Sequence, residues 1–263
     1  MITTNYHTHT MRCRHAEGTD EDYVLKALEA GLSELGFSDH SPWPYHPLDS
    51  RNIRMDISLM EDYVHHINAL RRQYASRIKI YLGVEAEYYE GRMDQLKNLI
   101  DTHQLDYVVL GNHFHLFETN GRYYGHYNDT ENLLRDYEAD TMKALESGLF
   151  DYFAHPDIFV RSMDKWTPEA TEMSIRILKK AKELNIPVEY NLGGIRNQFD
   201  RMTYPYPKFW ELAAKIQGPV MIGVDAHSPL DLIDYETIEK AEQYLKKLGI
   251  NPLKELKMPR VHK

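Results

Sequence analysis

Seven short stretches of this chain carry groups able to bind cations. They are His7-Thr8-His9 with His15 just beyond, Asp39-His40, Glu85-Ala86-Glu87, His113-Phe114-His115, His155, Glu189-Tyr190-Asn191 and Asp225-Ala226-His227. In an extended segment residues i and i+2 share a face, so His7 with His9, and Asp225 with His227, can aim inward together. A single His after a strand is ordinarily a satisfied loop residue, and His-x-His by chance is common. The set as a whole asks for more, because imidazoles and carboxylates gathered in one place repel or stay unsatisfied unless cations sit among them. Nitrogen and oxygen donors without thiolate suit Zn²⁺, Mn²⁺ or Fe²⁺, and donor type does not choose among these. Cys13, the single cysteine, reads as a small loop residue rather than a ligand.

An alternation of strands and helices must position these groups. Apolar runs at 2–6, 35–38, 78–84, 106–110, 152–154, 187–190 and 220–224 read as strands. Thr19-x-x-Asp22 resembles a capping box, opening a helix whose apolar face is Tyr23, Val24, Ala27 and Leu28 and which ends at Gly31. Further helices are expected at 58–74, 94–103, 131–147, 168–184, 208–216 and 235–248. Seven such units predict an α/β fold with a parallel sheet closed into a barrel, one domain over 1–263. Each stretch named above then falls at the C-terminal end of a strand, where barrels carry their chemistry. The loop 41–56, rich in Pro, Trp and Tyr, is long enough to act as a lid over the barrel mouth.

Composition narrows the function classes. Of 263 residues, 42% are hydrophobic and 27% charged, which suits a globular core. The formal charge of −9 argues against a nucleic-acid partner held by a broad basic surface. No apolar run approaches the roughly 18 residues of a membrane span, and the first residues lack a signal-peptide core. With one cysteine there is no internal disulfide, so a cytoplasmic protein is expected.

The runs His7-Thr8-His9-Thr10, His15-Ala16-Glu17-Gly18-Thr19 and Gly36-Phe37-Ser38-Asp39-His40-Ser41-Pro42 resemble the histidinol-phosphate phosphatases of the PHP (polymerase and histidinol phosphatase) superfamily. The likeness continues through Gly83-Val84-Glu85, Gly111-Asn112-His113, Ala154-His155-Pro156-Asp157, Asn191-x-x-Gly194-x-Arg196 and Asp225-Ala226-His227. It implies a distorted seven-fold (βα) barrel of PHP type with three divalent metal ions (Zn, Fe or Mn). By the family pattern, His7, His9, Glu85 and Asp225 surround the first ion, and Glu85 bridges to a second held also by His113 and His155. His15, His40 and His227 hold the third. His115 and Glu87 stay open as rivals of His113 and Glu85, and Asp39 is expected to orient an imidazole.

The activity so implied is hydrolysis of L-histidinol phosphate to L-histidinol and phosphate in histidine biosynthesis, by attack of a metal-bridging hydroxide. Glu85, Asp225 and His227 are the expected catalytic residues. Three ions less two carboxylates leave a local charge of about +4, enough to attract a phosphate dianion despite the distant −9. Arg161 and Arg196 are expected to bind the phosphate, because guanidinium forks match its oxygens. Glu118, Tyr123, Tyr124, His46 and Trp43 are unranked candidates for the histidinol amine and imidazole. The alternative is a PHP-family phosphoesterase acting on nucleotides or phosphodiesters. A non-catalytic scaffold would show gaps among the nine ligand positions, and an amidohydrolase-like barrel would offer a strand-end lysine; the sequence shows neither.

Overall fold

The computed structural model describes residues 1–43, 53–117, 121–127, 130–197 and 202–257. In chain order the strands are β1 (Thr4–Asn5), β2 (Glu34–His40), β3 (Lys79–Ala86), β4 (Tyr107–Leu110), β5 (Phe114–His115), β6 (Arg122–Tyr123), β7 (Tyr152–Phe153), β8 (Val188–Asn191) and β9 (Val220–Gly223). All but β5 and β6 form one parallel sheet in the order β1-β2-β3-β4-β7-β8-β9. A parallel bridge between Thr8 and Ala226 brings its two ends together, with His9 N–H donating to Ala226 O (2.9 Å) and Ala226 N–H to His7 O (3.1 Å). The seam of the barrel therefore runs through both i, i+2 pairs, His7/His9 and Asp225/His227.

The helices are α1 (Asp20–Glu29), α2 (Met60–Gln73), α3 (Met93–His103), α4 (Thr130–Glu146), α5 (Pro168–Glu183), α6 (Gly193–Arg196), α7 (Pro207–Ile216) and α8 (Tyr235–Lys247). α1 opens with the expected capping box, Thr19 and Asp22 bonding each other's backbone N–H, and buries Tyr23, Val24 and Ala27. Among the described residues no helix is long and apolar enough to cross a membrane.

Three features depart from the sequence pattern. The first strand is two residues rather than five, because the Asn5 amide takes over at the seam: it donates to His7 O (3.0 Å) and Thr8 Oγ1 (2.9 Å) and accepts from Val224 N–H (2.8 Å). The fourth strand leads not directly to a helix but to the antiparallel hairpin β5–β6. The sixth leads first to the four-residue α6. Elements this short leave no periodic signal. Of the proposed lid, residues 44–52 lie outside the described residues, as do His46 and Glu118.

The barrel interior is divided. Its N-terminal half is plugged by Tyr6, Tyr107, Val109, Tyr152, Ala154, Met221 and Leu256. Gly36 and Gly83 make this possible, since a Cβ at either would overlap the Tyr107 ring. The plug forms a largely apolar floor, and the imidazoles and carboxylates of the strand ends lie above it.

Candidate metal centre

Above that floor lies a basin of about 520 Å³, into which His9, His15, His40, Glu85, His113, His155, Asp225 and His227 project. His7 lies beneath it, fully buried. Glu85 stands in the middle. Its Oε1 faces His155 Nε2 (2.9 Å) and His113 Nε2 (3.3 Å), while its Oε2 faces His40 Nδ1 (3.0 Å) and the Nε2 atoms of His7 and His9 (both 3.6 Å). Asp225 Oδ1 closes the opposite side, 3.2 Å from His9 Nε2 and 3.5 Å from His7 Nε2. His155 and Asp225 both hold positive φ, 31° and 51°, a backbone conformation costly for such residues. Gly111 and Gly193 leave room for the carboxylates, because a Cβ there would overlap Glu85 and Asp225 respectively.

A second layer fixes which ring nitrogen faces inward. His7 Nδ1 lies 2.9 Å from Glu189 Oε1, His113 Nδ1 lies 2.9 Å from Glu87 Oε1, and His15 Nδ1 lies 2.9 Å from Cys13 O. Each oxygen can only accept, so each ring carries its proton on Nδ1 and presents the Nε2 lone pair to the basin when neutral. Glu189 is itself held by Tyr152 OH (2.7 Å), His155 N–H (3.0 Å) and Asn191 Nδ2 (2.7 Å). Glu87 is held by the Arg54 guanidinium (2.8 Å) and Trp43 Nε1 (2.9 Å). Asp39 faces His9 Nδ1 at 3.7 Å and accepts from Thr10 Oγ1, so the imidazole it addresses belongs to His9, not to adjacent His40.

The resulting electrostatics are those of a crowded cation site. Burial opposes ionisation of Glu85, yet His113, His7 and His40 hold its carboxyl well below the usual range. Asp225 is likewise driven down, burial being outweighed by His7 and His9. Burial, helped by the charge of His9, pulls His227 down to about 3, whereas Glu85 and Glu87 overcome burial to lift His113 to about 9. The Nε2 lone pairs of His15 and His227, whose Nδ1 atoms face the carbonyls of Cys13 and Asp225, confront one another at 2.9 Å, and His7 and His9 Nε2 lie 3.1 Å apart. Asp225 Oδ1 and His40 Nδ1 are buried without a hydrogen-bond partner. Donors on a tetrahedral ion with bonds near 2.0–2.1 Å sit about 3.3 Å apart, so this packing fits divalent cations better than it fits protons.

Three donor groups emerge within 4.8 Å on the inner side: His7–His9–Asp225, His7–Glu85–His155 and His9–His40–Glu85. On the outer side His15, His40 and His227 form another. The structure thus brings all nine expected ligands to one end of the barrel. His113 enters through its contact with Glu85 rather than as a member of one of these groups. His115 points away, to Asp140 (2.9 Å) and Asp136 (3.8 Å), and Glu87 orients His113 instead of joining the ring.

The two arginines part company. Arg161 lines the basin, its Nη1 donating to Tyr123 OH (3.1 Å). Arg196 spends Nη2 on the carbonyls of Val224 (2.5 Å) and Asp225 (2.9 Å) and pairs through Nε with Asp231 (3.1 Å), leaving only a buried Nη1 without a partner. It braces the segment that carries Asp225. Of the leaving-group candidates, Tyr123 lines the basin, whereas Tyr124 OH is engaged by Asp140 (2.6 Å) and Trp43 by Glu87. Sequence reasoning missed Phe114 and Ile158, which with Tyr204 complete the apolar wall; nothing in the type or spacing of those two marks them.

A family model described as "PHP domain" matches residues 5–192. A Deinococcus radiodurans protein named "Probable histidinol-phosphatase" is 30% identical over 228 residues, covering 85% of each chain. The Bacillus subtilis "Histidinol-phosphatase" is 24% identical, covering 86% of this chain and 94% of its own length. In fold, the crystal structure of histidinol phosphate phosphatase from Lactococcus lactis, complexed with Zn, L-histidinol and phosphate, superposes with a TM-score of 0.73 at 20% identity, over 95% of both chains. The matched 5–192 takes in every expected ligand except Asp225 and His227, which meet that span across the barrel seam, and on this evidence the chain belongs to the PHP domain family.

Proposed function

We propose that the chain, acting as one barrel domain over 1–263, is a metal-dependent phosphomonoesterase that hydrolyses L-histidinol phosphate to L-histidinol and phosphate. The observation that carries this reading is the placement of Glu85 between two sets of inward-facing imidazole nitrogens, with Arg161 in the wall beside them. His7, His9, Glu85, Asp225, His113 and His155 would hold two ions on the inner side, and His15, His40 and His227 a third on the outer. Divalent ions there supply an acidified water and neutralise charge on the phosphoryl oxygens.

The chain's own groups do the rest. Glu189 and Glu87 keep the His7 and His113 rings turned so that Nε2 faces the reacting group. Arg161 offers planar donors to a phosphate oxygen, with Tyr123 fixing one of them. Glu85, Asp225 and His227 border the position where phosphorus would sit. Phe114, Tyr123 and Tyr204 give a flat apolar wall suited to an imidazole-bearing leaving group. The Deinococcus, Bacillus and Lactococcus proteins, named for the same reaction, support the substrate assignment. A small phosphorylated partner, no nucleic acid and a cytoplasmic setting go with it.

Phosphate release from histidinol phosphate should exceed that from nucleotide monophosphates and a phosphodiester by orders of magnitude, on protein purified without chelator and analysed for metal. Equal turnover of a nucleotide or diester would replace the substrate assignment by the broader phosphoesterase.

A further inference from the structure

Cys13 has no part in the scheme above, yet its surroundings are those of a ligand. It ends the 3-10 turn Met11–Cys13 that follows the seam, and its side chain is buried. His9, Cys13 and His227 each offer a donor atom, all within 4.8 Å of one another. A tetrahedral zinc with bonds of about 2.3 Å to sulfur and about 2.0–2.1 Å to nitrogen sets those donors roughly 3.5 Å apart, which this spacing accommodates. The group shares His227 with His15–His40–His227, so the two are continuous. A second observation points the same way. His9, whose side chain is 1% exposed, has a buried Nδ1 without a hydrogen-bond partner, its nearest carboxylate oxygen, on Asp39, being 3.7 Å away. A ring fixed at Nε2 by the inner donors would normally have Nδ1 fully satisfied.

We propose that Cys13 supplies a thiolate to a cation on the outer side of the basin, together with His227 and His9. This rests on the reading of the basin as a metal centre and adds a donor of a different class. Ligation forms a metal–sulfur bond and, through His9 Nδ1, a metal–nitrogen bond, and it releases the thiol proton and the His9 Nδ1 proton to solvent, with no change of oxidation state. The consequence is selectivity. A site of imidazoles and carboxylates alone admits Mn²⁺, Fe²⁺ and Zn²⁺, whereas a thiolate shifts preference toward thiophilic ions such as Zn²⁺ and Cd²⁺. The inner side, with only nitrogen and oxygen donors, keeps no such bias.

The test is spectroscopic and does not depend on turnover. Metal-free protein is loaded with Co²⁺, its cobalt content is measured, and its near-ultraviolet spectrum is recorded. A sulfur-to-cobalt charge-transfer band should appear as the ions enter, and be lost in Cys13→Ser and Cys13→Ala. Competition of Cd²⁺ against Mn²⁺ should weaken at least tenfold in both variants. Wild-type protein that fills with cobalt but shows no such band overturns the thiolate, whatever the variants do. Protein that takes up no cobalt overturns the metal reading of the basin as well, so the two failures are distinguishable.

Discussion

His7, Glu85, His155 and Asp225 stand at strand ends and are buried, whereas His15 and His227 reach the basin from loops, His15 being exposed. Of the inner rings, His7 and His113 are held by carboxylates that are themselves bonded, Glu189 by Tyr152, His155 and Asn191 and Glu87 by Arg54 and Trp43. The outer rings lean on backbone carbonyls instead: His15 on Cys13 O and His227 on Asp225 O (3.2 Å). A carboxylate partner raises the basicity of an imidazole more than a carbonyl does, and strand ends are stiffer than loops. Under the proposed reading, the inner side would keep its ions and the outer side would admit one from solvent.

The sharpest way to break this contrast is at its centre. Glu85→Gln keeps the shape but removes the charge that both edges of the carboxylate share, and should lower kcat by about a thousandfold or more, with loss of inner-side metal. Phosphate release and metal content read the two effects separately; activity within tenfold of wild type would mean that Glu85 does not bridge. One layer out, Glu189→Gln cannot both accept from His7 Nδ1 and keep its other bonds. Metal affinity or activity should fall about 10- to 100-fold, measured by chelator competition. A neutral result would leave the inner side no better held than the outer.

The strand-end positions were legible because chemistry and periodicity coincide there: polar ligands interrupt apolar runs too short to be anything but buried strands. The seven-unit barrel followed from the same alternation. The hairpin β5–β6 and α6 were not legible, since two- and four-residue elements lack a period, and the hairpin is what brings Tyr123 to the basin. Glu87 and Glu189 were visible as strand-end carboxylates, but their work in orienting His113 and His7 depends on side-chain direction, which spacing alone does not give. Arg196 shows the converse. Its sequence position suits a phosphate ligand, yet the fold turns most of its guanidinium onto the backbone of Val224 and Asp225.

A milder perturbation belongs to the outer side. His15→Ala removes a solvent-facing ring with no carboxylate behind it, so the metal-free protein should melt at the wild-type temperature. Affinity for one ion of the set should drop about tenfold while the inner ions remain. Loss of all ions together would show that the two sides are one cooperative unit and erase the distinction between them.

A separate effect, on stability rather than on metal or turnover, concerns a carboxyl that faces away from the basin. Glu85, Glu87, Glu189 and Asp225 are all held ionised, but burial pushes Asp157 up to about 7, against the lowering influence of Tyr206 N–H (2.6 Å) and Trp210 Nε1 (3.2 Å). Its Oδ1 has no hydrogen-bond partner. Between an ordinary value of 3.8 and about 7, the folded chain keeps a proton that the unfolded chain releases. Stability contributed by this group therefore falls as pH rises through that window, by at most one proton, ~1.4 kcal/mol per pH unit. Asp157→Asn keeps an oxygen for Tyr206 and Trp210 and titrates nowhere in the range, so the variant should gain on wild type steadily from pH 4 to 7 and no further above it. Urea denaturation of both proteins across that range measures the difference, and parallel curves would mean that Asp157 is ionised like the carboxylates that face the ions.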